Sequence, residues 1–317
     1  MDFVQKLEKA AEIHNNIKST LNKEFLLNNT IIQIANHIEK EISNNLQNEI
    51  NNGIAFPTGI NIDNVVAHYT PSNKDNYFIN DNNIVKIDYG VHVDGYIIDS
   101  AFSINYNEKY KSILDASESA IKNVIKNIGV DTKFQELSSI IEETVNSYEY
   151  EENGLLKPVK IINNVYGHNI KQFNIHGGKF LYPTVQKNDN QIVEEDDILA
   201  IEVFTSNGSG VTKLDHNLNN YSHYKLKPEF IERKIPLYPF KKLNIIGDLI
   251  KSDFKTLPFC SRFFKNIDVS TSNMQNLFRL GLLDSHPPLL ECNSKSKSAQ
   301  FEHTILVRES GVKDFNN

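Results

Sequence analysis

Residues 84–102, IVKIDYGVHVDGYIIDSAF, predict a β-hairpin that carries two carboxylates. β-Branched and aromatic residues fill both arms, and the Asp94-Gly95 dipeptide between them is typical of a two-residue type I′ turn. Asp88 lies in the first arm and Asp99 in the second, each among residues suited to a core. Because a buried carboxylate needs a partner, the fold has to supply something that neutralises both acids.

The length of the turn determines how Asp88 and Asp99 face each other. A loop centred on Val93 and Asp94 sets them directly opposite, whereas an Asp94-Gly95 turn makes them diagonal neighbours. Both registers leave the two side chains on the same face, as does every loop of even length. Since facing like charges destabilise a sheet, we expect a proton or a metal ion between the acids. A solvent-facing strand pair with chance acids is the alternative.

Two further acids occur in similar apolar segments, Glu202 in LAIEVF and Glu302 in AQFEHTIL. A glutamate between apolar residues is seldom left unpaired. Histidines lie on strands or beside glycine in four segments: His68 in VVAHYTP, His168 in YGHNI, His176 in NIHGGK and His223 in YSHYK. One such histidine is more often a hydrogen-bonded structural residue than a ligand, but four of them beside four strand acids favour a functional site.

The chemistry of these residues favours a site for two metal ions. Four carboxylates and one imidazole suit Mn²⁺, Fe²⁺, Co²⁺ or Zn²⁺ ions joined by carboxylate bridges. A thiolate zinc site fits poorly, because Cys260 and Cys292 do not have the required spacing. Paired metal ions activate water and polarise a carbonyl or phosphoryl group, so hydrolysis is the indicated reaction class. The G-x-S-x-G motif of serine hydrolases does not occur in the sequence.

Hydrophobic spacing predicts the rest of the fold in outline. Helices are expected over residues 3–22, 29–48, 108–127 and 131–147, with a stop at Gly129 and an N-cap at Asp131. Strands are expected within residues 157–170, 196–210 and 298–309, and residues 227–285 look mostly helical. We therefore expect one α+β domain over residues 1–317, with a helical insertion at 227–285.

The chain contains an internal similarity. NNIVKIDYGVHVDG and DDILAIEVFTSNGSG can be aligned so that Asp88 matches Glu202, and a predicted helix pair precedes each copy. This indicates a pseudo-two-fold repeat of helix, helix and hairpin, with one acid from each half. Chance similarity between short apolar strands is the alternative.

Composition excludes several classes of protein. The 317 residues are 39% hydrophobic and 23% charged, as in an ordinary globular protein, and the net charge of −7 disfavours a nucleic-acid partner. An apolar run of about 18 residues, as a membrane span needs, does not occur. The first helix is amphipathic and lacks the apolar core of a signal peptide. With two cysteines only, the expected location is the cytoplasm.

Seven segments, in order and approximate spacing, resemble type 2 methionine aminopeptidases of metallopeptidase family M24 along nearly the whole chain. They are AFPTGINIDNVVAHYTP, VKIDYGVHVDGYIIDSAF, GHNIKQFNIHGGK, LAIEVFTSNGSG, SHYK, TLPFC and AQFEHTILVR. The resemblance implies the pita-bread fold, a pseudo-two-fold antiparallel sheet flanked by helices. It implies a methionyl aminopeptidase, a metallo-exopeptidase in which a metal-bound hydroxide attacks the carbonyl of an N-terminal methionine. Residues 227–285 match the insertion that distinguishes type 2 from type 1 relatives.

By this resemblance, five residues bind two divalent ions of Co, Mn, Fe or Zn: Asp88, Asp99, His168, Glu202 and Glu302. Asp99 and Glu302 would bridge the ions, and Asp88 would chelate one of them. His168 and Glu202 would serve the other ion. Glu202 would also carry a proton from water to the leaving amine.

The resemblance also implies residues that contact the substrate. His68 would lie near the scissile amide, and His176 would hydrogen-bond the substrate carbonyl or the tetrahedral intermediate. Phe56, Ile175 and His223 match positions that line the pocket for the methionine side chain.

The chain departs from the family at two pocket positions. His286 precedes Pro-Pro where relatives usually have tyrosine, and Pro258 in TLPFC stands where they often have a small residue. Both changes affect the shape of the pocket and leave the metal ligands untouched.

The expected partner is the N-terminus of a peptide or nascent polypeptide. The enzyme itself is expected to be a monomer. Proximity to the ribosome is a further expectation, although the chain begins at the first helix without the charged extension of many relatives, which disfavours association through that extension. One alternative is a catalytically inactive pita-bread binding protein, which the presence of all five ligands disfavours. Another is a proline-specific peptidase of the same fold, which would be expected to have a further domain ahead of residue 1.

Overall fold

The computed structural model describes residues 1–46, 51–215, 223–232, 241–264 and 269–316. In this part of the chain the helices are α1 (Phe3–Thr20), α2 (Lys23–Asn28), α3 (Ile31–Leu46), α4 (Lys111–Asn127), α5 (Phe134–Asn146), α6 (Lys241–Asp253) and α7 (Thr271–Arg279). The strands are β1 (Gly53–Ile62), β2 (Val65–Ala67), β3 (Ile84–Val93), β4 (Tyr96–Asn105), β5 (Glu149–Glu152), β6 (Leu155–Pro158), β7 (Lys160–Ile161), β8 (Gly167–Ile170), β9 (Phe180–Leu181), β10 (Ile198–Ser206), β11 (Thr212–Leu214), β12 (His223–Leu226), β13 (Leu283–His286), β14 (Leu289–Glu291), β15 (Ser298–Arg308) and β16 (Gly311–Asp314).

The main sheet is antiparallel and has nine strands. Seven of them follow the order β1-β3-β4-β15-β10-β8-β9, while β16 pairs with β15 and β7 pairs with β10. The strands β4 and β15 form the centre, and β3 and β10 flank them at equivalent positions. Helix α1 packs against β3 and β4, and α4 packs against β10 and β15. This arrangement confirms the α+β prediction and the pseudo-two-fold repeat.

Each half of the sheet has its own hydrophobic core. The first cluster joins α1 and α3 to β1, β3 and β4, and includes the fully buried Ile34, Ile38 and Ile87. The second joins α4 and α5 to β10 and β15, around Phe134 and Ile201. Because the apolar faces of the helices cover one side of the sheet, its other side is left to the functional residues.

The four predicted helices occur with shorter bounds, and the short helix α2 was not predicted. Residues 47–48 of the second prediction lie outside the described residues. Asp131 is not the N-cap of α5, which begins at Phe134 after Lys133. The main chain explains this difference: Asp131 donates to the Val193 carbonyl, and Val193 donates back to Thr132. Asp131 also has a positive φ of 67° and lies in a turn closed by Thr132 N–H on the Gly129 carbonyl, so the chain enters the helix only after Lys133.

The predicted hairpin consists of β3 and β4 joined by Asp94-Gly95. Both turn residues have positive φ, 50° and 76°, as a type I′ turn requires. The register pairs Gly90 with Asp99, so Asp88 is the diagonal neighbour of Asp99 on the same face. The directly opposed register, which needs a loop centred on Val93 and Asp94, is therefore wrong.

The described part of residues 227–285 contains α6, α7 and two single-turn 3₁₀ segments; residues 233–240 and 265–268 lie outside it. These helices surround a separate hydrophobic cluster that includes Tyr224, Phe259 and Leu277. Strand β12 pairs with β13 in a two-stranded sheet that closes this cluster. No described helix is long and apolar enough to cross a lipid bilayer.

Candidate metal centre and substrate cavity

Three acids lie in one row across four neighbouring strands of the main sheet. Asp88 and Glu302 both pair with Ala101, from opposite sides. Glu202 lies directly opposite Glu302. Since directly paired residues share a face, and Asp99 is two residues from Ala101 on the same strand, all four carboxylates emerge on one side of the sheet.

His168 joins the acids from the next strand. It pairs with Ala200, two residues from Glu202, so its side chain shares the face of the acids. Its Nε2 lies 3.5 Å from Asp99 Oδ2. One ligand atom from each of Asp99, His168 and Glu302 can be chosen so that all three lie within 4.8 Å of one another. The described side chains therefore offer a compact set of oxygen and nitrogen ligands.

Few hydrogen-bond donors surround the four acids in the described part of the chain. Gln300 Nε2 lies 3.3 Å from Asp88 Oδ2 and 3.5 Å from Glu302 Oε2. The Oδ1 atom of Asp88 is buried and has no hydrogen-bond partner. Buried oxygens without donors are costly, so the cluster is chemically incomplete as it stands.

The acids and His168 form the floor of a cavity of about 70 Å³. All ten site residues expected from the sequence line this cavity. They are Asp88, Asp99, His168, Glu202, Glu302, His68, His176, Phe56, Ile175 and His223, and the lining is completed by Pro258 and His286. The last two are pocket residues that the sequence marked as departures from the family without assigning them a role. The sequence signal that could have assigned them to the cavity was their position, Pro258 within TLPFC and His286 directly before Pro-Pro.

The side walls of the cavity depend on close approaches of the chain. A Cβ on Gly90 would meet the Phe56 ring at 2.3 Å, so glycine here lets the ring lie over the strand. A Cβ on Gly95 would meet the Phe173 ring at 2.4 Å. Phe173 in turn donates its backbone N–H to the Gly95 carbonyl at 2.8 Å, which holds the loop leading to Ile175.

A group of histidines forms the upper wall. The His68 ring lies 5.8 Å from the rings of both His223 and His286, measured between centroids. The His176 ring lies 4.4 Å from His168 and 6.1 Å from His286. His68, the first residue after β2, also has a positive φ of 66°, an uncommon backbone state for a residue other than glycine.

Residues 5–309 match the model of metallopeptidase family M24. The chain belongs to metallopeptidase family M24. It is similar to methionine aminopeptidase 2 of Neurospora crassa, with 34% identity over 316 residues that cover 97% of this chain and 70% of the relative. It is also similar to methionine aminopeptidase 2-1 of Ajellomyces capsulatus, with 36% identity over 318 residues that cover 97% and 69%.

Solved structures agree on the fold of this M24 member. A thermophilic Arx1 matches with a TM-score of 0.80 and 18% identity, covering 99% of this chain and 90% of that one. Methionine aminopeptidase from Thermotoga maritima matches with a TM-score of 0.66 and 16% identity, covering 99% and 96%. At these identities the likeness shows the pita-bread fold alone. Together with the two relatives, whose alignments cover 97% of this chain, it confirms the family resemblance drawn from the motifs.

The electrostatics of the acid cluster follow from burial and crowding. Burial raises the pKa of Asp88 to about 7. Burial and the charge of Asp88 raise the pKa of Asp99 well above its usual range, and burial together with the neighbouring acids does the same for Glu202 and Glu302. Without cations, burial and mutual repulsion therefore favour the protonated forms of these acids.

Family M24 enzymes use two divalent metal ions, and the residues present fit them. Two divalent ions carry four positive charges, which balance the four carboxylates. Burial lowers the pKa of His168 to about 4, so its imidazole is neutral at pH 7 and available as a ligand. The buried Asp88 Oδ1, which has no hydrogen-bond partner, would gain a metal ion as its partner. Oxygen-rich ligands with one imidazole suit the metals expected from the sequence.

Proposed function

We propose that this M24 member is a methionyl aminopeptidase, which hydrolyses the first peptide bond of polypeptides that begin with methionine. The observation that carries this proposal is the convergence of five metal-ligand candidates and five substrate-contact candidates in one cavity. The curated relatives that cover 97% of the chain bear the name methionine aminopeptidase 2, which supports the same activity.

Asp88, Asp99, His168, Glu202 and Glu302 would hold the two ions. When bound, such ions polarise a carbonyl group and lower the pKa of water. Asp99 and Glu302 lie on the two central strands and would be shared by both ions, while Asp88 and Glu202 lie on the equivalent flanking strands and would each serve one ion. Glu202 lines the cavity and is half-buried, and it would pass a proton between water and the leaving amine.

The histidines would position the reacting amide. Burial and the neighbouring His286 lower the pKa of His68 to about 4, so its ring is neutral at pH 7. A neutral imidazole offers one N–H donor and one acceptor. We assign His68 to the nitrogen side of the scissile amide and His176 to its carbonyl oxygen. Both rings touch the wall group that includes His286, which restricts their rotation.

Phe56, Ile175 and His223 would bind the methionine side chain. Phe56 and Ile175 are 5% and 6% exposed, so a flexible thioether can replace water against them. His223 Nε2 is buried without a partner and is available to the substrate. The acids project from a continuous sheet, so the α-amino group of a substrate bound over them would lie towards the sheet, and this would confine the reaction to chain ends.

The finer assignments are further proposals. We place the enzyme in the cytoplasm, because Cys260 and Cys292 are both free thiols and suit a reducing compartment. We propose a monomer that acts on nascent polypeptide N-termini, within reach of the ribosome. Residues 1–317 would form one catalytic domain, in which the insertion at 227–285 supplies Pro258 to the cavity wall.

The test is an assay of protein stripped of metal and reloaded with Mn²⁺, Fe²⁺, Co²⁺ or Zn²⁺ separately. Peptides that begin Met-Ala, Met-Val and Ala-Pro are offered to each form. We expect release of methionine from the first two peptides with at least one metal. Cleavage of the Ala-Pro peptide alone would indicate a proline peptidase, and no cleavage with any metal would contradict an enzymatic role.

A further inference from the structure

Lys225 lies beside the cavity at a place where a charged group can meet the substrate. It follows His223 by two residues on β12, so both side chains project from the same face of the strand. Its Nζ donates to Asn174 Oδ1 at 3.0 Å, and Asn174 directly precedes Ile175 in the loop that leads to His176. The ammonium group is therefore held between β12 and that loop, at the rim of the cavity.

The rim near Lys225 is the open side of the cavity. Asp99, Glu302 and His168 are buried, whereas His176 is exposed and His286 is half-buried. A polypeptide that places its first residue in the cavity has to leave past these two histidines. After burial, the charge of Lys225 is the next largest cause that lowers the pKa of His286, which agrees with its position beside this exit.

The positive charge at the rim is only partly balanced. Asp284 lies opposite Lys225 in the β12–β13 pair. Its side chain is 52% exposed, however, and it lies 3.8 Å from the ammonium of Lys227, so one acid is shared by two lysines. On the cavity floor, four carboxylates and two divalent ions would cancel each other. The ammonium group of Lys225 is therefore the charge that the part of the substrate outside the cavity would meet.

We propose that Lys225 is a specificity-determining residue, which favours polypeptides with an aspartate or glutamate as the second residue after the N-terminal methionine. This inference rests on the proposed function. The first residue after the scissile bond would lie between His68 and His176. The next residue is about 3.5 Å further along an extended chain and reaches the rim. There its carboxylate would approach the Lys225 ammonium.

The experiment compares three peptides with the metal-loaded enzyme: Met-Ala-Asp-Ser, its neutral isostere Met-Ala-Asn-Ser, and Met-Ala-Lys-Ser. We expect a KM about three- to fivefold lower for the aspartate peptide than for the asparagine peptide, and the highest KM for the lysine peptide. The kcat values should be similar, because the interaction is present before and during the reaction. Raising the salt from about 0.05 M to about 0.5 M should remove most of the difference.

Variants separate the charge of Lys225 from its bulk. Lys225→Met and Lys225→Gln should abolish the preference, and Lys225→Arg should retain it. Lys122→Met is the matched control, because Lys122 is an exposed lysine on α4 whose removal should leave the preference intact.

Equal KM values for the aspartate and asparagine peptides in the wild-type enzyme would overturn the inference. A preference that survives in a folded neutral variant would also overturn it. The salt dependence of the wild-type enzyme keeps the test decisive even where a neutral variant fails to fold. Failure to cleave any of the methionine peptides would contradict the proposed function instead, so the two failures are distinguishable.

Discussion

Glu291 and Glu302 are both buried glutamates, but their surroundings differ completely. Glu291 is 0% exposed, and its two oxygens accept five hydrogen bonds. The donors are the backbone N–H groups of Ser209, Gly210 and Asn293 and the hydroxyl groups of Ser209 and Ser296. Burial raises the pKa of Glu291, but these hydrogen bonds outweigh it, so the pKa lies below its usual value. This carboxylate is a complete structural element that joins two loops.

Glu302 has almost none of this support. It is 2% exposed, and its hydrogen-bond contact in the structure is Gln300 Nε2 at 3.5 Å. Burial and the nearby Asp99 raise its pKa well above the usual range. Glu291 is surrounded by donors, whereas Glu302 has almost none and lies beside three more acids. This difference is what identifies the cluster as a place for cations.

The largest expected effect is the loss of turnover in Asp99→Asn. Asparagine keeps the shape but removes the charge of a proposed metal ligand, so cleavage of Met-Ala-Ser should fall by roughly a thousandfold or more, and metal content should fall with it. The fold should persist, because the substitution removes one of several mutually repelling carboxylates from the cluster. Activity and elemental analysis check this result, and undiminished cleavage would exclude Asp99 as a bridging ligand.

A third buried carboxylate, Glu39, is neutralised by a side-chain cation. Arg262 donates to Glu39 Oε1 at 2.8 Å and also to the Pro71 carbonyl, and the two side chains of the ion pair are 8% and 10% exposed. Arg262→Met should lower the free energy of unfolding by about 3–5 kcal/mol, because it leaves a buried charge unpaired. Denaturant titration measures this change. The double variant with Glu39→Gln should recover part of the loss; no recovery would show that charge is not the cause.

Glu291→Gln should have the opposite profile to Asp99→Asn. The new NH₂ group of glutamine is itself a donor and would face the N–H and hydroxyl donors that now surround the carboxylate. The free energy of unfolding should therefore fall by about 1–3 kcal/mol. Metal content and turnover per folded molecule should stay unchanged. Equal damage to metal binding in both variants would remove the distinction between the two carboxylates.

The smallest expected effect is on the pH dependence of stability in metal-free protein. Between about pH 6.5 and pH 8 stability should fall as pH rises, because burial raises the pKa of Asp88 to about 7 and the folded state retains a proton there that the unfolded state has released. Below about pH 6.5 the trend is opposed by His14 and His168. Burial lowers their pKa values to about 3 and about 4, so the unfolded state binds more protons there. Thermal unfolding at several pH values, with and without Mn²⁺, measures both trends.

The floor of the site could be predicted from the sequence because it depends on strand geometry. The two-residue period places Asp88 and Asp99 on one face, and the Asp94-Gly95 turn fixes their diagonal register. The pairing of Glu202 with Glu302 could not be derived in this way, because it joins strands about 100 residues apart in sequence; the family resemblance implied that both acids serve one metal centre, but not that their strands pair.

The rim was predicted less completely. His286 enters the cavity because β13 pairs with β12, and this two-stranded sheet is held by the cluster around α6 and α7. Local periodicity does not specify such a tertiary pairing. Asp131 shows the same limit, since pairing with Val193 overrides its preference for an N-cap position.

The most direct test of the contrast between Glu291 and Glu302 is the metal stoichiometry of the protein. Stripped wild-type protein, Asp99→Asn and Glu291→Gln are titrated with Mn²⁺ at about pH 7.5, where ligand protons can be displaced, and bound ions per chain are measured by calorimetry. The predicted result is two ions per chain for the wild type and for Glu291→Gln, and fewer for Asp99→Asn. No binding by the wild type, or equal stoichiometry in all three, would contradict a dinuclear centre on the four acids.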